Sequence, residues 1–201
     1  GRRVGVDNMY LYMGKLGLLA KTGIDLSGEA GTIIHKQENV GAVELATMSF
    51  GQSFQITPVQ MLRAVAAIVN GGKLVTPHFG LYTGSSDGSV VNEFAYSTEE
   101  EAISSQTSEM MKQILEGVVS EGGGTKAYIE GYSIGGKTAT SQKLPRGSGK
   151  YISSFIGFAP AENPQVIAMC LIDEPTGVYY GGTIAAPVVK TLYENILPYL
   201  G

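Results

Sequence analysis

The chain has 201 residues, of which 43% are hydrophobic and 16% charged, and its formal net charge is −4. That length and balance suit one domain with a substantial core, exclude a disordered chain, and offer no basic footprint for nucleic acid. The single cysteine, Cys170, excludes an intrachain disulfide framework and a cysteine-based zinc site, and its apolar surroundings predict a small buried hydrophobe.

No apolar stretch is long enough for a membrane span, and no signal-peptide pattern is present. Gly1-Arg2-Arg3 runs straight into helical periodicity, which reads as a cut inside a larger protein whose membrane anchor, if any, lies upstream. With 28 glycines, about twice ordinary usage, the chain is expected to turn tightly and often.

Val6, Met9, Tyr10, Met13 and Leu16 recur at helical spacing, with Gly17 as a stop. Residues 22–29 read as a turn-rich loop, and a second helix is predicted from Val40 to Met48. The clearest start follows: Thr57 as N-cap, Pro58 at the first helical position and Gln60 completing a capping box. Leu62, Ala66 and Val69 share a face of that helix before Gly71-Gly72 ends it. Residues 84–107 are polar and predict surface loop and edge structure, with the acidic triplet Glu99–Glu101 as a solvated face. Met111, Ile114, Leu115 and Val118 mark another amphipathic helix, stopped by Gly122-Gly123-Gly124.

Strand signals then take over. Ile152–Ala159 and Val166–Ile172 flank a short Pro160-Ala161-Glu162-Asn163-Pro164 turn, so the two strands should pair antiparallel. Val188, Leu192, Ile196 and Tyr199 line one face of a closing helix entered at Pro187. Helices first, then an antiparallel β-meander, then one C-terminal helix make an α+β layout.

Gly135-Gly136-Lys137-Thr138-Ala139-Thr140-Ser141-Gln142 gathers an ammonium, hydroxyls and unencumbered backbone amides, a set suited to an anion. From Gly131 it also satisfies the spacing of a phosphate-binding P-loop. A P-loop needs a strand before it and a helix directly after, because the helix N-terminus supplies amides to the phosphates. Here Tyr128-Ile129 is a poor strand, and Pro145 and Gly147 stand where the helix should run. The context argues against nucleotide binding.

The ordered set of motifs instead resembles the C-terminal half of the transpeptidase domain of class B penicillin-binding proteins. Lys21–Glu29, Ser49–Gln60, Ala67–Gly72 and Glu121–Ala127 are each similar to a family segment, in the family's order. Gly136–Ser141 stands where the Lys-Thr-Gly motif belongs, and Tyr151–Pro160 resembles the next strand. Among family members the likeness points to sporulation-specific ones of spore-forming Firmicutes. It implies a penicillin-binding protein/serine β-lactamase-like fold, with residues 1–201 forming the C-terminal portion of a single domain.

The resemblance implies acyl transfer on peptidoglycan. The family's serine attacks the D-Ala-D-Ala end of a stem peptide, D-alanine leaves, and an amine from a neighbouring stem resolves the acyl-enzyme; β-lactams stall at that stage. The family's motifs are Ser-x-x-Lys, Ser-x-Asn and Lys-Thr-Gly. Only the third is present. Tyr193-Glu194-Asn195 fits a Tyr-x-Asn variant but falls after the lysine strand, so chain order makes it a coincidence. Nor do Ser133 and Lys137 form a dyad, since four residues on a strand span about 13 Å. The isolated chain is expected to be inactive, with the upstream half of the domain, stem peptides and β-lactams as partners, no cofactor, and a place on the extracytoplasmic face of a bacterial membrane.

By resemblance, Lys137 and Thr140 carry the catalytic roles. Thr138, Ala139, Thr140 and Ser141 bind substrate, the Thr138 and Thr140 hydroxyls holding the terminal carboxylate and the Thr140 amide forming half of an oxyanion hole. Without it, a strand lysine is ordinarily a solvated edge residue and paired threonines are ordinary strand formers. Ala139 replaces the motif's glycine and its methyl is expected to narrow the cleft. Gln52 and Ser53 either approach that cleft or serve loop packing. His35 and His78 stand alone, and Asp173-Glu174 reads as a turn. The alternative function is a non-catalytic module with a peptidoglycan- or partner-binding cleft.

Overall fold

A computed structural model describes residues 1–99, 101–145 and 147–200. The chain divides into two compact units, Gly1–Ser105 and Gln106–Gly201. Of the acidic triplet, the Glu99 side chain and all of Glu100 lie outside the described residues.

The first unit begins with α1 (Gly5–Lys15), whose Met13 is buried, with Val6, Met9 and Tyr10 half-buried beside it. A two-residue strand β1 (Ile33–Ile34) pairs antiparallel with β2 (Phe54–Gln55), with α2 (Ala42–Met48) between them. Glu44 reaches back to the Gly41 amide at 3.0 Å and caps that helix. Next comes α3 (Pro58–Val69), started as its sequence predicts. Gln60 N–H donates to Thr57 Oγ1 at 3.2 Å, and Thr57 N–H donates to Gln60 Oε1 at 2.8 Å. Gln60 is fully buried because its amide also donates to Ala20 O at 2.6 Å and Thr32 Oγ1 at 2.8 Å. Leu62 and Ala66 are only half-buried; the deeper positions of α3 are Arg63, Ala64, Ala67 and Val69. Arg63 tolerates burial because its Nε donates to Val75 O at 2.7 Å. The expected polar stretch contributes strands. β3 (Leu74–Val75) pairs with β6 (Thr98–Glu99), and β4 (Tyr82–Gly84) forms a hairpin with β5 (Val90–Glu93).

The second unit holds α4 (Ser105–Ser120), a three-stranded antiparallel meander of β7 (Gly135–Gln142), β8 (Tyr151–Ala159) and β9 (Val166–Asp173), a single turn α5 (Gly181–Ile184), and α6 (Ala186–Leu200). β8 is central, so β7 and β9 are the edges. Alternation assigns the faces. Thr138 and Thr140 of β7 and Ser153, Phe155 and Gly157 of β8 share the face packed on α5 and α6. The core there is Val119, Ile134, Phe155, Ala159, Ala186, Val189, Tyr193 and Leu197.

Two helices bury a different stripe from the expected one. On α6 the buried line is Ala186, Val189, Tyr193 and Leu197, whereas Val188 and Leu192 are about half exposed and Tyr199 is 94% exposed. On α4, Ile114 faces solvent and Ser108, Lys112 and Val119 are buried. The reason is polar satisfaction: Lys112 Nζ donates to Glu162 O at 2.8 Å and pairs with Glu109 at 2.8 Å. A hydrogen-bonded lysine can therefore take a core-facing position that periodicity assigns to an apolar residue. Cys170 is half-buried against the same core, and burial raises its thiol pKa.

Candidate active site

The anion-suited run is strand β7 and the next element is strand β8, with no helix between them among the described residues, so the P-loop spacing is geometrically empty. Its glycines serve packing. A Cβ on Gly136 would fall 2.6 Å from Cζ of Phe155 and 2.7 Å from Ile156 O, while one on Gly135 would come 2.7 Å from Cε1 and Cε2 of Phe158. Phe155 and Phe158 are buried rings that need these bare backbone positions. The glycines let the edge strand lie against its own core.

Lys137, Ala139 and Ser141 alternate with Thr138 and Thr140 along β7, so the lysine and the threonines occupy opposite faces. They share the strand's edge, which is unpaired among the described residues. Lys137, Ala139 and Thr140 are exposed, Thr138 and Ser141 half-buried. Lys137 Nζ donates to Thr138 O at 2.7 Å and makes no ion pair among the described residues. No carboxylate among the described residues neutralises its charge.

Beneath the threonines lies a floor of bare backbone. A Cβ on Gly182 would meet Gly123 O at 2.6 Å and Thr138 Cγ2 at 3.1 Å, so only glycine allows the start of α5 to close on the Gly122–Gly124 turn. The Gly181 amide donates to Thr140 Oγ1 at 3.0 Å. Beside it, Tyr151 and Tyr179 stack with centroids 4.0 Å apart. This second contribution, from residues 179–182, has no motif in the sequence to announce it.

The other candidates are structural. The Ser133 hydroxyl donates to the Glu162 carboxylate, which holds the glutamate pKa down, so it forms no dyad with Lys137. The Ser53 hydroxyl bonds that of Thr47 at 2.7 Å, a loop-packing role. His78 stacks on Tyr96 with centroids 3.7 Å apart. Asp173 and Glu174 both take Lys143, at 2.9 and 2.8 Å. Tyr193 is a fully buried core residue, which disposes of the Tyr-x-Asn coincidence. Among the described residues no cluster of His, Cys, Asp and Glu could hold a metal.

A literal Lys-Thr-Gly triplet stands at Lys21-Thr22-Gly23, and it already grips a carboxylate of the chain. Glu29 accepts from Thr22 N–H at 2.6 Å, from the Thr22 hydroxyl at 2.7 Å and from Gly23 N–H at 3.2 Å. Burial pushes the Glu29 pKa up, but these donors, with the Lys21 charge, leave it lowered overall. The triplet is filled and is no ligand site. It does show what a threonine hydroxyl and neighbouring amides do to a carboxylate.

With this geometry in place, comparison with known proteins assigns the class. The chain belongs to the penicillin binding protein transpeptidase domain family, whose profile matches residues 1–194. It is 41% identical to stage V sporulation protein D of Bacillus subtilis (strain 168), covering 100% of this chain and 32% of that protein. It is 33% identical to the "Probable peptidoglycan D,D-transpeptidase PenA" of Neisseria meningitidis serogroup A, covering 99% of this chain and 33% of the relative. Penicillin-binding protein 3 of Mycobacterium tuberculosis, crystallised with ampicillin, superposes with a TM-score of 0.88 at 28% identity, over 99% of this chain and 47% of that one. The chain thus spans about a third of the length of these curated relatives. Its mixed helix and antiparallel-sheet architecture is that of penicillin-binding protein transpeptidase domains.

Proposed function

We propose that this chain supplies the carboxylate-binding edge strand of a serine-type peptidoglycan D,D-transpeptidase, the nucleophile coming from residues outside it. The supporting observation is β7 itself: an edge that is unpaired among the described residues, carrying an exposed Thr140 and an exposed Lys137 with no ion pair among those residues. An extended peptide laid along such an edge gains backbone hydrogen bonds, and its terminal carboxylate meets the lysine charge and threonine hydroxyls. Lys137 and Thr140 take the catalytic roles, and Thr138, Ala139, Thr140 and Ser141 line the substrate. At an effective dielectric near 20, a carboxylate about 4 Å from the ammonium gains about 4 kcal/mol of Coulomb attraction.

On this reading residues 1–201 are the C-terminal portion of one catalytic domain, completed by a preceding segment with the serine. The substrates are D-Ala-D-Ala stem peptides, β-lactams are covalent inhibitors, and the domain works on the outer face of the cell membrane. Among the described residues no helix is long and apolar enough to cross that membrane. No Ser-x-x-Lys occurs in the sequence, so the isolated chain should be catalytically silent.

The test is labelling with fluorescent penicillin. The chain alone should stay dark, and mixing it with the segment that carries Ser-x-x-Lys should give a covalent band that Lys137→Ala weakens. A co-folded pair that remains unlabelled would refute the transpeptidase reading.

A further inference from the structure

Thr140 and Ser153 stand opposite each other in the β7–β8 register, and both hydroxyls hold one short piece of backbone. The Ser153 hydroxyl, fully buried, donates to Tyr179 O. The Gly181 amide donates to Thr140 Oγ1 at 3.0 Å. Residues 179–181 therefore cross the strand pair as a strap with one bond to each strand. The Tyr179 ring, stacked on Tyr151 within 6° of parallel, anchors its start. Its end can lie this close only because residue 181 is glycine. A Cβ there would sink into the carbonyl oxygens of Ala139 and Ser154.

The consequence falls on the Thr140 proton. A hydroxyl has one donor and two acceptor lone pairs, and its hydrogen otherwise rotates to suit its surroundings. With one lone pair committed to Gly181 N–H, the hydrogen must point away from that donor. Among the described residues it is donated to nothing, and the side chain is exposed. Accepting a hydrogen bond also polarises the O–H and makes it a better donor. The strap thus leaves a pre-aimed proton for an external acceptor.

We propose that Gly181 is a positioning residue for the carboxylate of the bound peptide or β-lactam, acting through the Thr140 hydroxyl, and that Ser153 positions Gly181 by anchoring the strap. This rests on the reading of Thr140 as a carboxylate ligand and adds the device that orients it.

The test uses the full-length protein containing this chain and compares acylation rates by a penicillin and by its carboxylate methyl ester. Thr140→Val should slow the free acid about ten- to hundredfold, the range for a hydrogen bond to a charged group, and slow the ester far less. Gly181→Ala should do the same, and the double variant should be no slower than either single one. Thr140→Ser, which keeps the hydroxyl, should retain most of the rate. Ser153→Ala adds no atoms and should slow the acid selectively if Gly181→Ala proves too disruptive to fold. Equal slowing of acid and ester by Gly181→Ala and Ser153→Ala, or multiplicative losses in the double variant, would overturn the positioning role while leaving Thr140 as a ligand. A Thr140→Val protein that acylates at the wild-type rate would instead overturn the underlying reading of Thr140.

Discussion

The phenol of Tyr193 bridges two strands: it donates to Gly157 O at 2.6 Å and accepts from Ala168 N–H at 3.0 Å. Gly157 and Ala168 are partners in the β8–β9 register, so α6 is fastened to a rung of the sheet. Burial raises the Tyr193 pKa, which keeps the hydroxyl protonated and able to donate. Tyr193→Phe strips both backbone groups of a partner in a buried place, and should cost about 1–3 kcal/mol. Urea unfolding would measure it. A midpoint unchanged from wild type would mean that the strands re-pair without the phenol.

The glycines that begin the anion-suited run carry a second stability prediction. Gly136→Ala drives a methyl into the Phe155 ring and the Ile156 carbonyl, neither of which has room to move in a filled core. Overpacking of this kind costs about 1–3 kcal/mol. Gly131→Ala is a comparison of a different sort: nothing lies within 4 Å of the added carbon, but φ is +85°, so its cost is backbone strain alone. Thermal unfolding of Gly136→Ala should show the loss, and restoring space with Phe155→Leu in the same chain should recover part of it. Additive losses in that pair would argue against a steric clash.

The contrast between these positions shows what the sequence could reveal. Thr57, Pro58 and Gln60 announced α3 because a capping box closes within four residues. The β8–β9 pairing was legible because one short turn joins two apolar runs. The buried faces of α4 and α6 were not, since each helix has apolar residues on more than one stripe. The choice between stripes rests on partners far along the chain, such as Glu162 O for Lys112 and Gly157 O for Tyr193. Lys137 and its neighbours were found by motif. The strap from Tyr179 to Gly181 was not, because its contact with Thr140 spans 41 residues and involves a backbone amide that no side-chain pattern encodes.

The turn end of the β7–β8 hairpin is held to the end of β9 by charge and should respond to acid. Glu174 is pulled down from 4.5 to about 2 by hydrogen bonds from Lys143 first and Lys150 second. Lys143 is raised above its usual range by Glu174 first and Asp173 next. A depressed carboxylate contributes stability above its unfolded pKa and loses it as pH falls through the folded one, so this contribution should fade between about pH 4.5 and 2. The lysine, being raised, keeps its contribution until pH rises past its ordinary value of 10.5. The groups are exposed, so added salt should weaken the effect. Carboxyl NMR titration should find Glu174 near its depressed value and Lys143→Met should move it back up. A titration midpoint unaffected by Lys143→Met would dissolve the network as an energetic unit.

Lys137 makes the sharpest prediction for activity. Its ammonium rests on Thr138 O, a neutral partner it can exchange for an arriving carboxylate. In the full-length protein, Lys137→Ala should slow acylation by a penicillin about ten- to hundredfold, and Lys137→Arg should keep part of the rate because charge survives while geometry changes. Both should unfold within about 0.5 kcal/mol of wild type, since the side chain is exposed. Equal acylation rates for Lys137→Ala and wild type would remove the lysine from the carboxylate site.

Ala139 is the position at which the strand departs from the motif's glycine, and its side chain is exposed on the Lys137 face, opposite Ser154 in the register. A ligand laid along the β7 edge beside that residue would meet the methyl. Removing it should let the ligand lie closer, so Ala139→Gly should raise the acylation rate by bulky penicillins more than by small ones. The stability cost should stay within about 1 kcal/mol, the usual penalty for glycine in a strand. Acylation kinetics with a graded series of β-lactam side chains would read the effect. Identical rates across the series in the two forms would show that the methyl does not face the bound ligand, and the narrowing of the cleft would have to be abandoned.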